Sequence, residues 1–257
     1  MRVAFQSARG APGTTTLALA TAVELSSRTA AAVVLVEADP SGGILAAELG
    51  LPATPSIVEF ATDPLSSDPD LFATEFVHAV TGSLHVLTSP CSARQTGAAW
   101  AAGASRFCDL ARCLSSHLVL DLGRGTTAGV PGALDLLAER TVYVARPTVG
   151  DLAALIAGLR EHDSDPSMRL LLIAEPPASS ASDVHPREAR DVLAAYGTVV
   201  EVPWDPAAAA QVRGDPVRRK WVRSRLGTTV TALVDGLIGP TPPVAAVAEP
   251  TLVAVAP

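Results

Sequence analysis

Lysine is nearly absent. The 257-residue chain has one, Lys220, so its other basic side chains are arginines and no loop upstream of that position can draw on an ammonium group. Cysteine is scarce and odd in number: Cys91, Cys108 and Cys113 form no C-x-x-C pair, and the last two fall in a helical pattern. This argues against a disulfide framework or a zinc site and reads as small buried thiols on a core helix; Cys108, Cys113 and His117 as metal ligands is the alternative. The five histidines, His78, His85, His117, His162 and His185, are scattered without metal spacing and suggest no Ser-His-Asp or Cys-His arrangement. Mean hydropathy is positive at +0.32, yet no window approaches the roughly 18 uninterrupted apolar residues of a membrane span. The N-terminus lacks the apolar stretch of a secretory signal, so a cytoplasmic protein is expected, with peripheral association at a membrane or nucleoid as a further option. A formal net charge of −7 argues against the whole molecule being a nucleic-acid binder, but leaves a local basic face open.

What is present is a well-patterned globular chain. Apolar residues make up 48% and charged residues 18%, enough for a sizeable buried core. Short β-rich runs alternate with helical patterns, the signature of βαβ units and a mostly parallel sheet flanked by helices. Strands are predicted at Arg2–Gln6, Ala32–Glu37, Leu84–Thr88, Leu118–Leu122, Arg140–Ala145, Leu170–Ala174 and Thr198–Val202. Helices are predicted from Thr15 to Ser27 and over Trp100–Leu114, Val149–Glu161, Arg187–Tyr196 and Arg218–Leu237. The Pro-, Ser-, Thr- and Asp-rich stretch from Thr54 to Asp70 reads as a loop with at most a short helix. The expected fold class is a doubly wound α/β domain over residues 1–238, followed by a disordered Pro/Ala/Val-rich tail at 239–257.

Three segments point to a nucleotide site. The first, Ser7-Ala8-Arg9-Gly10-Ala11-Pro12-Gly13-Thr14-Thr15-Thr16, joins the first strand to the first helix in the order a phosphate-binding loop requires. Such loops work because consecutive backbone N–H groups and a helix N-terminus face the anion, and small residues let the backbone approach. Gly10, Ala11 and Gly13 can form that cradle, and Thr15 can offer its hydroxyl to Mg²⁺. Thr14, however, stands where a Walker A loop carries its lysine. A tight strand-to-helix turn uses the same residues, so the loop alone leaves both readings open. The second segment is Val33–Val36 followed by Glu37-Ala38-Asp39-Pro40, where carboxylates at a parallel strand's end face the ligand crevice. The third is His117–Leu120 followed by Asp121-Leu122-Gly123-Arg124-Gly125, the Walker B pattern of an apolar strand ending in a metal-binding aspartate. Asp39 and Asp121 as turn or cap residues, and Arg124 as a solvated loop arginine, are the plainer alternatives.

In these motifs the chain resembles the ParA/MinD superfamily of P-loop ATPases, in particular its CpaE/TadZ-like branch. The family loop K-G-G-x-G-K-T-T falls on Arg9 to Thr16, V-D-x-D-P on Val36 to Pro40, and D-x-x-G on Asp121 to Arg124; Val202-Pro203-Trp204-Asp205 resembles the adenine-side proline segment. The resemblance covers roughly residues 1 to 237, with the motif order kept and motif identity poor. It implies ATP and Mg²⁺ as cofactors, with weak affinity because both motif lysines are missing. It places Arg9 and Asp39 in catalytic positions, Arg9 reaching a partner's phosphates and Asp39 orienting water. Gly10, Ala11, Gly13, Thr14, Thr15, Thr16, Pro203 and Asp205 take the nucleotide, and Thr15, Asp39 and Asp121 the metal. It further implies a homodimer, or a heterodimer with an ATPase paralogue, serving a positioning, secretion or pilus-type assembly.

The expected function is therefore a degenerate binding, positioning or scaffolding subunit with little hydrolysis. An active Mg-ATPase cycling between monomer and dimer is the alternative. A third reading rests on the basic run containing Arg213, Arg218, Arg219, Lys220, Arg223 and Arg225, which could face nucleic acid or an anionic membrane with Trp221 as an interfacial anchor. The favoured reading of that run puts Trp221 and Leu226 in the core and the basic residues in water.

Overall fold

The computed structural model describes residues 1–9, 13–124, 130–161, 165–177, 183–216 and 218–239. The expected tail, beyond Gly239, lies outside them, as do Gly10 and Ala11. In chain order the strands are β1 (Arg2–Ser7), β2 (Val33–Glu37), β3 (His78–Ala79), β4 (Leu84–Leu87), β5 (His117–Arg124), β6 (Arg140–Ala145), β7 (Arg169–Ala174) and β8 (Thr198–Val202). They form one eight-stranded sheet in the order β3-β4-β2-β5-β1-β6-β7-β8, parallel except for β3, which pairs antiparallel with β4. The α-helices are α1 (Thr14–Ser26), α2 (Leu45–Glu48), α3 (Ile57–Thr62), α4 (Pro69–Leu71), α5 (Ala93–Cys113), α6 (Val130–Asp135), α7 (Val149–Glu161), α8 (Pro186–Leu193), α9 (Pro206–Gly214) and α10 (Arg225–Ile238).

The period-two alternation of strand side chains distributes the strands' apolar residues to two covered faces. Val3, Phe5, Val33, Leu35, Val119, Val142 and Val144 point to one side, where they pack with α1, α9 and α10 residues such as Leu19, Val212 and Val230. Ala4, Val34, Val36, Leu118, Leu120 and Leu122 point to the other and meet Phe60, Trp100 and Phe107 of α3 and α5. On that second face Tyr143, Leu171 and Ile173 are covered by Leu152, Leu155 and Leu193 of α7 and α8. The doubly wound architecture expected from the sequence is thus the one observed.

Departures from expectation have local causes. Helix α5 begins at Ala93, about two turns before the predicted start, because the Ser92 side chain caps it by accepting from the Gln95 N–H at 3.4 Å. Its Cys108 is buried as expected, but Cys113 is exposed. The long helix predicted over Arg218–Leu237 is broken: Lys220–Arg223 form a 3₁₀ turn, and Ser224 then caps α10. Helix α9 was not anticipated; Asp205 caps it through the Ala208 N–H at 3.0 Å, with Pro206 in the first turn. The Thr54–Asp70 stretch holds the short helix α3, closed at its start by a reciprocal Ser56–Glu59 capping box.

Candidate nucleotide site

Strand β1 lies between β5 and β6, and the connections from this centre leave toward both edges, so the carboxyl ends of β1, β2 and β5 border the crevice where open α/β sheets bind ligands. The register puts Phe5 and Glu37 opposite Asp121, and Ser7 opposite Arg124. A cavity of about 190 Å³ opens there, lined among the described residues by Ser7, Gly13, Thr14, Thr15, Thr16, Asp39, Ile44, Gly123, Arg124 and Arg213.

Its floor is the start of α1. Gly13 precedes the helix with φ of +94°, a left-handed conformation suited to glycine, and neither a side-chain cap nor a first-turn acid occupies this helix end. The end is therefore electrostatically available to an anion. Thr14 is only 4% exposed and its Oγ1 has no hydrogen-bond partner.

The wall is built from carboxylates. Asp121 is fully buried; its Oδ1 accepts from the Gly123 N–H at 3.1 Å, and its Oδ2 has no partner. Burial pushes this carboxyl up to about 7, with the Glu37 and Asp39 charges adding to the effect, while the Thr15 hydroxyl and the Gly123 N–H favour the charged form. Thr15 and Asp121 are thus adjacent, as a hydroxyl and a carboxylate sharing a metal need to be. Asp39 stands at the rim, accepting from the Ser41 N–H at 2.7 Å. Its carboxyl packs so closely on Gly123 (φ +56°) that a Cβ there would lie 2.0 Å from Asp39 Cγ.

Glu37 has a different role from the one its motif position suggests. Its carboxylate accepts from the N–H groups of Ile44 at 2.6 Å, Leu45 at 2.9 Å and Ser89 at 2.9 Å. The Ser89 hydroxyl in turn donates to the Glu37 carbonyl at 2.6 Å. Burial raises the Glu37 carboxyl above its ordinary range despite these three donors. This side chain fixes the start of α2 and the loop after β4.

The structure brings Gly13, Thr14, Thr15, Thr16 and Asp39 together around the cavity, with Asp121 behind Thr15. Arg9 is exposed and lies away from the cavity lining, its Nη1 2.8 Å from where a Cβ on Gly150 of α7 would sit. Pro203 and Asp205 are also outside the lining; Asp205 is occupied in capping α9. The basic run is mostly paired: Arg213 with Glu48 at 2.9 Å, Arg218 with Asp215 at 3.1 Å, Arg225 with Glu175 at 3.2 Å, and Arg219 with Glu24 of α1. Lys220 and Arg223 are exposed. Trp221 is buried in the core, which removes it as an interfacial anchor and agrees with the favoured solvated-face reading. Sequence reasoning did not foresee Arg213 as part of the cavity; no local motif signals it, because its ion-pair partner Glu48 is 165 residues away.

Comparison with solved structures finds the same fold. A ParA family ATPase from Chlorobium tepidum superposes with a TM-score of 0.73 at 20% identity, covering 92% of this chain and 98% of that one. Apo McdA from Cyanothece gives 0.69 at 17% identity, covering 93% and 99%. The septum site-determining protein MinD from Pyrococcus horikoshii, solved with Mg-ADP, gives 0.66 at 15% identity, covering 92% and 95%. No family model and no curated protein matches the sequence. The chain therefore has the ParA/MinD-type P-loop fold. Among the described residues no helix is long and apolar enough to cross a membrane.

Proposed function

We propose that this chain is a nucleotide-responsive positioning or scaffolding subunit of the ParA/MinD kind, one that takes Mg-nucleotide weakly and hydrolyses it slowly or not at all. The observation that carries this reading is an uncapped helix N-terminus with the unpartnered buried Thr14 Oγ1 in the lining of one cavity, and a second unpartnered buried oxygen, Asp121 Oδ2, on the residue directly behind the cavity-lining Thr15. Buried polar atoms in a folded protein are nearly always satisfied, and orphans cluster where a ligand or ion completes them.

The residues present fit such a group. The α1 N-terminus, from Gly13 to Thr16, would hold phosphate oxygens, and Thr15 with Asp121 would hold Mg²⁺, with Asp39 at the rim. The bound Mg-nucleotide supplies a transferable phosphoryl group and the metal charge that stabilises its transfer. This chain's residues contribute orientation and metal binding but lack the loop lysine. Because phosphoryl-transfer catalysis is chiefly positioning and charge stabilisation, that loss lowers hydrolysis more than binding. The MinD relative with Mg-ADP supports the same ligand for this cavity. A dimer, of two copies or with an ATPase paralogue, fits the exposed position of Arg9, since a guanidinium there is free to meet a partner's phosphates. Assembly of a cell-envelope or pilus-type machine is the kind of task such a subunit would serve.

Calorimetric titration with ATP and a nonhydrolysable analogue, with and without Mg²⁺, tests the reading. Magnesium-dependent binding in the micromolar to millimolar range is expected. No heat at several millimolar Mg-ATP would overturn it.

A further inference from the structure

We infer that Arg213 is the phosphate-binding cation of this site, delivered from α9 in place of the missing loop lysine and held in reserve by Glu48. The inference deepens the nucleotide-site reading above and rests on it.

Four observations carry it. Arg213 lines the same cavity as Thr14, Thr15, Thr16 and Asp39 although it lies about 200 residues further along the chain. The cavity's floor is a helix N-terminus whose first side chain, Thr14, is nine-tenths buried with an unpartnered hydroxyl. Arg213 uses only part of its donor set: Nη1 donates to Glu48 Oε1 at 2.9 Å and Nε to the Ala209 carbonyl at 3.4 Å. A guanidinium has five N–H donors in a planar fork, so Nη2 and the second Nη1 hydrogen remain for an anion, in a geometry that matches phosphate. Finally, Glu48 presents one carboxylate oxygen to Arg213 while its Oε2 is buried without a partner.

The placement is reinforced from the motif side. Glu37, at the end of β2, accepts the N–H groups of Ile44 and Leu45 and so fixes the start of α2, whose last residue is Glu48. The strand-end carboxylate therefore sets the position of the side chain that holds Arg213. In the ligand-free state Glu48 compensates the guanidinium. A polyphosphate, carrying more charge than one carboxylate, draws the fork into the cavity at Glu48's expense.

The test is titration of the full chain with Mg-ATP, Mg-ADP and inorganic tripolyphosphate, for wild type, Arg213→Ala, Arg213→Lys and Glu48→Gln, with thermal unfolding of each protein as a control. Arg213→Ala should weaken Mg-ATP and tripolyphosphate binding roughly ten- to hundred-fold, the value of a charge-assisted contact, and Arg213→Lys should recover part of it. Glu48→Gln should tighten binding several-fold, because it frees the guanidinium. A merely structural Arg213–Glu48 pair would instead make both removals equally harmful or equally silent, and either result overturns the inference. Should Arg213→Ala fail to fold, the direction of the Glu48→Gln effect still decides. Unchanged affinity in Arg213→Ala with wild type binding normally refutes the Arg213 assignment alone; no binding by wild type refutes the nucleotide site and this inference together.

Discussion

Asn in place of Asp121 should make the ligand-free protein more stable at neutral pH and above, and progressively less so toward acid. Burial lifts the Asp121 carboxyl from its ordinary 3.8 to about 7. The sign follows from proton counting. Below about pH 4 the group is protonated in both the folded and unfolded chain and contributes nothing. Between about pH 4 and 7 the unfolded chain gives up its proton while the folded chain keeps it, so stability falls as pH rises. At 1.36 kcal/mol per pH unit the accumulated cost is about 4 kcal/mol by pH 7, and above that it stays constant. Asn is isosteric and never ionises. Its Oδ1 keeps the Gly123 N–H and its amide replaces Oδ2; the contact that changes is the one with the Thr15 hydroxyl. After allowing for the altered contact with Thr15, Asp121→Asn should gain about 2–4 kcal/mol over wild type at pH 7.5 and no more than about 1 kcal/mol at pH 4.5. Urea unfolding at several pH values in the presence of EDTA reads this directly, provided the denaturant slope is unchanged. A wild-type minus variant difference that does not vary between pH 4.5 and 7.5, or a variant less stable at both, would refute the reasoning.

Two further outcomes follow from the same site. Glu37→Asp, which restores the residue usual in the resembled motif, should destabilise the fold by about 2–5 kcal/mol in thermal or urea unfolding, because shortening the side chain withdraws an acceptor from three N–H groups, two of them on buried residues. Thr14→Lys should raise Mg-ATP affinity roughly ten- to hundred-fold by calorimetry, the worth of one charge-assisted contact; no gain would show that the buried space around Thr14 does not admit a lysine reaching the phosphates.

The parts of the fold that repeat locally were legible from residues alone. The seven parallel strands were found because each presents a run of apolar β-formers ended by a turn, and the alternation within Val33–Val36 and Leu118–Leu122 is the alternation that feeds the two faces. Strand β3 escaped because two residues carry no period. Helix α9 has its signal, Asp205 followed by Pro206 and an alanine run, but the same residues complete the Val202–Asp205 proline segment, which hides the cap. The break before α10 was hidden because the apolar positions on either side of Ser224 keep helical spacing although the backbone does not, and Arg219 adopts φ of +49°. In the site, the strand-end aspartates and the glycine loop were legible since their chemistry is contiguous. The bonding of Glu37 was not, because its donors come from Ile44, Leu45 and Ser89, and the Arg213–Glu48 pair was not, because it joins two helices far apart in the chain.

Losing the loop lysine changes the order in which this cavity can fill. In a lysine-bearing loop the ammonium offsets the carboxylates and phosphates before any metal arrives. Here Asp39 lines the cavity with Asp121 and Glu37 just behind it, and the nearest paired cation, Arg213, is compensated by Glu48. Free ATP would bring further negative charge to this wall, where a helix N-terminus worth about 0.3–1 kcal/mol, the cavity-lining Arg124 and an Arg213 that must first leave Glu48 are what receive it. A metal-bound nucleotide instead delivers two positive charges to Thr15 and Asp121, and Asp121, holding its proton up to about pH 7, must release it to accept them. Binding should therefore depend on Mg²⁺ more steeply than where a lysine is present, and should release protons most strongly in the range where Asp121 is still protonated. Both follow from the same exchange: the metal takes over the part of the charge compensation that a loop lysine would supply and that Arg213, held by Glu48, supplies only at a cost.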